Sequence, residues 1–373
     1  MIRILSVQGV AERGGSDFCM LGMLRSLPAE EFETHVVVPS EPPLRQEFEA
    51  AGATVHILPM RRITTQGGLA WWVLYALEWP LTVLRLAQLV RRLRIGVVHT
   101  NSLHSWYAWA AAWWTRRPHV WSAREIAVQS PAAARLERFL TRQFATVVVS
   151  MSRAIAARLE PRDSRVIVDD VDPDRFHPRR AGVFRRAHGI PDDAVLVGAA
   201  GRIDTWKGFE VLLEAHERVC KRRADIHLAV CGPAVIGKED YEARLRRRAG
   251  SLPNVHWLGL VKDINAFHAD LDVFVLPSTA PEPFGLVLLE ALASGVPVIA
   301  THHGGPAELL DGHAERGNLV TPGDPAALAE AISTLLDRLP LPSTAATRCA
   351  RPRRWQPSVP AYAALFRGVA RKR

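Results

Sequence analysis

Apolar positions along the chain fall into two kinds of run that alternate. Short, β-branched runs bounded by turn residues occupy 2–7, 35–38, 55–58, 96–99 and 147–150. Their nearly continuous apolar character predicts strands buried on both faces of a parallel sheet. Longer segments with helical periodicity lie between them, at 18–27, 69–93, 103–114 and 132–144. Such an alternation predicts a doubly wound α/β domain. A polar stretch follows, Asp169-Asp-Val-Asp-Pro-Asp-Arg-Phe-His-Pro178, then the Arg-rich residues 179–186, and together these read as the linker. The alternation then resumes, with strands at 195–200, 226–231, 255–258, 273–276 and 297–300. Its helices lie at 209–220, 241–249, around Ala266, and at 284–293. The pattern predicts two Rossmann-like domains in series, residues 1–178 and 179–357, facing a central cleft. Ligands of such sheets bind beyond the carboxyl ends of the strands.

Composition narrows the class. With 373 residues, 48% apolar and 23% charged, the chain has ample material for two cores, which excludes disordered, collagen-like and disulfide-scaffold proteins. Its four cysteines (Cys19, Cys220, Cys231, Cys349) are scattered without a C-x-x-C, so a reduced cytoplasmic setting fits and a zinc or redox motif does not. Only five of the 47 basic residues are lysines, a bias that points to a GC-rich genome rather than to chemistry. The N-terminus runs straight into a predicted strand and lacks a signal-peptide layout. The longest apolar stretch, 68–90, is interrupted by Glu78, Pro80 and Arg85, so no membrane span is predicted.

Charge placement adds more than its total. The net charge is +9, but residues 61–153 hold 13 arginines against Glu78, Glu125 and Glu137, a local 13 − 3 = +10. The same segment holds eight of the eleven tryptophans. Basic charge mixed with tryptophan suits an anionic membrane surface, a nucleic acid or an anionic substrate. Packing inside the first domain competes for every one of those rings.

Three motifs carry chemistry. Gly14-Gly15 precedes a helix whose N-cap is Ser16 or Asp17; paired glycines let backbone N–H groups approach a phosphate, although an ordinary tight turn has the same letters. Gly201-Arg-Ile-Asp-Thr-Trp-Lys-Gly208 places Arg202 and Lys207 between a strand end and a helix start. A planar fork of donors beside a compact ammonium suits a diphosphate, and cations at a helix N-terminus oppose the macrodipole unless an anion joins them. Pro281-Glu-Pro-Phe-Gly-Leu-Val-Leu-Leu-Glu290 puts Glu282 in a rigid loop and Glu290 on an otherwise apolar helix. A buried carboxylate there needs a ligand or a salt-bridge partner, and free amides at 285–287 suit a phosphate or a sugar hydroxyl.

In this order and spacing, with Val97-Val-His-Thr-Asn-Ser102, Pro277-Ser278, Gly295-x-Pro-Val298, Gly304-Gly305 and Gly317-x-Leu-Val-x-Pro-Gly-Asp324, the chain resembles family 4 glycosyltransferases along nearly its whole length. The resemblance implies the GT-B fold. The first domain would take the acceptor side and the second the nucleotide sugar, with a final helix at about 358–371 packing back on the first domain. It implies a retaining, metal-independent transfer from a UDP- or GDP-linked sugar to a saccharide or lipid-linked saccharide, in cell-envelope or exopolysaccharide synthesis, with no cofactor. Arg202 and Lys207 would hold the donor diphosphate, and Glu290 the ribose hydroxyls. Glu282, with the backbone at Phe284, Gly285 and Leu286, would meet the transferred sugar. Gly14 and Gly15 would let their loop close over the distal phosphate. A histidine near the anomeric carbon would be His99 or His104, with His99 at the strand end preferred. Asp170 stands where the family usually has a glycine, and Asp170-Val-Asp172 is a D-x-D in letters only.

Alternatives are a sugar-nucleotide epimerase of the same fold or a catalytically silent nucleotide-sugar binder. No nucleic-acid partner is expected, because the basic charge is interleaved with apolar tryptophan runs. The Arg- and Trp-rich helix 69–93 further predicts a cytoplasmic enzyme peripheral on the inner face of the cytoplasmic membrane, unless its tryptophans are core.

Overall fold

The computed structural model describes residues 1–12, 14–61, 68–126, 131–169, 171–172, 174–178, 182–235, 237–311, 317–338 and 358–371. The chain forms two compact units, one of residues 1–170 with 355–373 and one of 171–354. Asp170 and Cys349 lie outside the described residues.

The first unit runs β1 (Ile2–Val7), α1 (Gly15–Arg25), β2 (Phe32–Val38), α2 (Arg45–Ala50), β3 (Ala53–Ile57), α3 (Leu69–Arg92) and β4 (Val97–Thr100). It continues with α4 (Ala108–Trp114), β5 (His119–Ala123), α5 (Pro131–Phe144), β6 (Val147–Ser150), α6 (Arg153–Leu159) and β7 (Ser164–Val166). All seven strands are parallel, in the order β3-β2-β1-β4-β5-β6-β7. Strand order reverses between β1 and β4, where Leu5 lies beside both His35 and Val98. One core joins the sheet to α1 and α2 through Ile4, Met20, Leu24 and Phe48. The other joins it to α3 and α4 through Leu5, Val98, Leu86 and Ala111.

Strand β5 departs from the sequence expectation, since His119, Trp121 and Ser122 break its apolar run. Each is accommodated by a hydrogen bond. His119 Nε2 lies 2.7 Å from Thr100 Oγ1, Trp121 Nε1 donates to the Ser102 carbonyl at 3.0 Å, and Ser122 meets His99 at 2.8 Å. Helix α3 passes through Pro80 without ending and stops only where Arg94 turns left-handed (φ +52°) and Ile95 N–H bonds back to Val90.

The second unit begins with α7 (Val183–Ala187) and proceeds through β8 (Val195–Ala200), α8 (Phe209–Cys220), β9 (Ile226–Cys231), α9 (Glu239–Gly250), β10 (Val255–Gly259) and α10 (Ile264–Asp270). After these come β11 (Val273–Leu276), α11 (Leu286–Ala293), β12 (Val298–Thr301), α12 (Gly305–Leu310), β13 (Gly317–Val320) and α13 (Pro325–Leu336). Its six parallel strands run β10-β9-β8-β11-β12-β13, reversing between β8 and β11. The Arg-rich stretch read as linker ends inside this unit. Arg185 is wholly buried, donating to the Asp270, Pro191 and Ala194 carbonyls and pairing with Asp272 at 2.7 Å. The Asp270 carboxylate accepts from the Gly182, Phe184 and Arg185 amides, satisfying donors that a helix start leaves open.

The last helix, α14 (Ser358–Ala370), belongs to the first unit. Tyr362, Phe366 and Val369 recur at helical spacing and are buried with Ile4 and Met20, and Arg367 pairs with Glu31 at 2.6 Å.

Candidate functional site

In the second unit the reversal of strand order opens at the carboxyl ends of β8 and β11, where ligands of open α/β sheets bind. The chain leaves β8 at Gly201, exposes Arg202 and makes a single 3-10 turn over Thr205–Lys207 before α8. Gly208, between turn and helix, has φ +72°, and a Cβ there would lie 1.9 Å from the Pro277 carbonyl oxygen, so only glycine fits. That contact brings the Lys207 loop against the end of β11. Lys207 Nζ lies 2.7 Å from Glu282 Oε2 and 4.3 Å from the Trp206 ring centre. Ser278 Oγ donates to the same carboxylate oxygen at 2.9 Å. Arg202 is exposed, forms no ion pair among the described residues, and lies beside this cluster in sequence.

The loop bearing Glu282 is fixed by backbone. Its carbonyl accepts from Gly305 N–H at 2.9 Å, and a Cβ on Gly304 would approach that oxygen to 2.2 Å. Phe284 is buried, and Gly285 (φ +85°) is the N-cap of α11. The N–H groups of Leu286 and Val287 therefore sit in a first turn without intrahelical acceptors. Glu290, one turn further on, forms a separate contact, its Oε2 3.3 Å from Nε2 of the fully buried His268. The structure thus joins Lys207 to Glu282 and places Phe284, Gly285 and Leu286 on the loop that follows. Ser278, Trp206 and His268 are additional members. Pro277-Ser278 was visible as a motif, but nothing in its spacing gave the Ser278 hydroxyl its carboxylate partner.

In the first unit, Gly14 is the N-cap of α1 and has an extended backbone (φ −120°), which any residue adopts. Its N–H donates to Asp17 Oδ2 at 3.3 Å. Burial pushes the Asp17 carboxyl up to about 6, against the hydrogen bonds from Gly14 and Gln8 that draw it down. Gln8 donates to Ser16 Oγ and Asp17 Oδ1, and Asn101 Nδ2 donates to the Gln8 and Ser16 oxygens at 2.9 Å. Arg124 donates to Asn101 Oδ1 at 2.9 Å and pairs with buried Asp169. Gly15 opens the helix above this network.

His99 is corrected by its surroundings. It has no solvent exposure, its Nδ1 lies 3.1 Å from Ser6 Oγ and its Nε2 2.8 Å from Ser122 Oγ, and its ring meets the Phe366 ring edge-on. Burial, reinforced by the charge of Arg124, pushes its pKa down to about 3, so the ring is neutral. A ring with both nitrogens engaged inside a core has no atom to present to a substrate, and the catalytic expectation for His99 is withdrawn. His104 is partly exposed, with Nδ1 3.8 Å from Glu125 Oε1. Among the described residues, no three His, Cys, Asp or Glu side chains are grouped to hold a metal ion.

Comparison with known proteins agrees with this architecture in both halves. Residues 14–168 match the model of the glycosyl transferase 4-like domain, and residues 182–347 that of glycosyl transferases group 1. The chain belongs to the family 4 glycosyltransferases of the GT-B class. It is similar to the D-inositol 3-phosphate glycosyltransferase of Geodermatophilus obscurus, 35% identical over 226 residues, which are 57% of this chain and 48% of that protein. It is also similar to the lipopolysaccharide core biosynthesis mannosyltransferase LpsB of Rhizobium meliloti, 30% identical over 54% of this chain and 58% of that one. The chain therefore spans about half the length of the curated relatives it matches. In fold it resembles Alr3699/HepE of Anabaena, solved in complex with UDP-glucose, with a TM-score of 0.84 at 22% identity over 100% of both chains.

Proposed function

We propose that the protein transfers a sugar from a nucleoside-diphosphate sugar, UDP- or GDP-linked, to a hydroxyl of a saccharide or lipid-linked saccharide. The transfer retains anomeric configuration and uses no metal or other cofactor. The observation that carries this reading is the cationic loop at the β8–β11 reversal, with Arg202 exposed and Lys207 held by Glu282 and Trp206. Breaking the anomeric carbon–phosphate oxygen bond leaves negative charge on the departing diphosphate, and fixed cations at that position lower the barrier. The acceptor oxygen bonds to the anomeric carbon on the face the diphosphate leaves, and its proton passes to a leaving-group oxygen. Retention on one face asks for no carboxylate nucleophile. Glu290 and the α11 amides serve the nucleotide ribose and the phosphate or sugar oxygens.

The similar curated proteins, one an inositol phosphate glycosyltransferase and one a lipopolysaccharide mannosyltransferase, support glycosyl transfer, and the Anabaena complex makes UDP-glucose the first donor to test. Thermal-shift measurements with UDP, GDP and their sugars, followed by transfer assays with and without EDTA, test the reading. A melting shift with one nucleoside diphosphate and turnover that survives EDTA are expected. No shift with any of them, or activity abolished by EDTA and restored by Mg²⁺ or Mn²⁺, overturns it.

A further inference from the structure

We propose that the outer face of α3, with the arginine-rich ends of α3 and α4, docks the first unit on an anionic lipid bilayer. A surface helix of a globular unit normally divides into an apolar inner and a polar outer stripe. The inner stripe of α3 is ordinary, with Tyr75, Val83, Leu86 and Val90 buried in the unit. Its first three turns lack the outer one. Leu69 (83% exposed), Val73, Leu74, Leu77 (70% exposed) and Leu81 face outward together with Trp72. The only charge there, Glu78, is neutralised by Arg61 at 2.7 Å.

Beyond Leu81 the outward positions turn basic, with Arg85, Arg91, Arg92 and then Arg94 exposed. Helix α4, packed beside α3, ends in exposed Trp113 and Trp114, followed by Arg116 and Arg117. Arg91 lies over the Trp114 ring at 5.9 Å. None of these six arginines forms an ion pair among the described residues.

Charge decides the occupant. A second copy meeting this face across a two-fold axis would bring like arginines together. Anionic headgroups instead match the arginines, while the leucines enter the acyl boundary and tryptophan sits between. Helix α3 is long and apolar enough to cross a membrane, but a third of its most apolar stretch is buried in the unit. Spanning would strip that stripe from the core, so the helix lies in the plane of the interface.

This inference is independent of the donor reading, because vesicle binding is measured without nucleotide. The full chain is sedimented with phosphatidylcholine vesicles, with and without phosphatidylglycerol, at low and high salt. Binding only to the phosphatidylglycerol vesicles, weakening as salt rises, is expected. Replacing Arg91, Arg92 and Arg94 together by Gln should weaken it about 10²-fold, and Leu74→Ser with Leu77→Ser at least tenfold, with unchanged circular dichroism and melting temperature. No binding, equal binding to both vesicle types, or full binding by both variants overturns the proposal. So does retention through an alkaline carbonate wash, which marks a span. A stable dimer that Leu77→Ser dissociates, in place of vesicle binding, assigns the face to a second copy.

Discussion

The two units fold alike and reverse strand order at the same place in their sheets, yet the two reversals are furnished differently. In the first unit Gln8, Ser16, Asn101, Arg124 and Asp169 form a buried, largely self-satisfied network. In the second, Lys207 and Glu282 form a largely buried pair, whereas Arg202 is exposed and forms no ion pair among the described residues. The topology creates a crevice in both cases, and the side chains decide whether it is filled from within or left able to meet an anion.

Substitutions at the two reversals should therefore fail in different ways. Arg124→Met leaves Asp169 buried and unpaired and should destabilise the first unit by about 3–5 kcal/mol, read from denaturant melts. Lys207→Ala leaves the Glu282 carboxylate with the Ser278 hydroxyl still donating to it, so it should move those melts less than Arg124→Met while lowering turnover by about 10²-fold, equivalent to about 2.7 kcal/mol of barrier. If Lys207→Ala unfolds the protein or Arg124→Met leaves it stable, the contrast between the units collapses. Glu290→Gln should weaken nucleoside-diphosphate binding by ~1.5–3 kcal/mol in calorimetry. An unchanged affinity would reduce Glu290 to a structural partner of His268.

Per pH unit, the smallest effect concerns acid. His99 and His119 are wholly buried, and burial pushes both down to about 3, whereas in the unfolded chain each titrates near 6.5. A depressed histidine contributes stability that is full above its unfolded value and lost as pH falls. Each ring should cost about 1.4 kcal/mol per pH unit from about 6.5 toward 3. His216, His227 and His256 in the second unit are also pushed down by burial, so the informative quantity is a difference. His99→Gln should show a shallower loss of melting temperature with acid than the wild type, and an identical slope would mean that His99 is not held neutral.

Much of the sheet was legible because buried parallel strands are nearly pure apolar runs, as β1 and β6 are. Strand β5 was not, since a buried His-Val-Trp-Ser-Ala needs partners from other strands before it reads as interior. Arg185 was lost to the linker for the same reason: its carbonyl and carboxylate acceptors come from residues 191, 194, 270 and 272. Residue types at the candidate site were readable from Gly201–Gly208 and Glu282–Glu290, but spacing along the chain says nothing of a lysine and a carboxylate meeting 75 residues apart. His99 misled because a strand buried on both faces hides a side chain even one residue before its carboxyl end.

Helix α14 gives the chain an order of assembly. Tyr362, Phe366 and Val369 complete the interior of the first unit, but the ribosome makes them only after every residue of the second. During synthesis the second unit has all its strands and helices while the first still lacks one wall, with Ile4, Met20 and Leu24 uncovered. A premature stop just before α14 would therefore release a first unit that lacks part of its core, while the second keeps every strand and helix described for it.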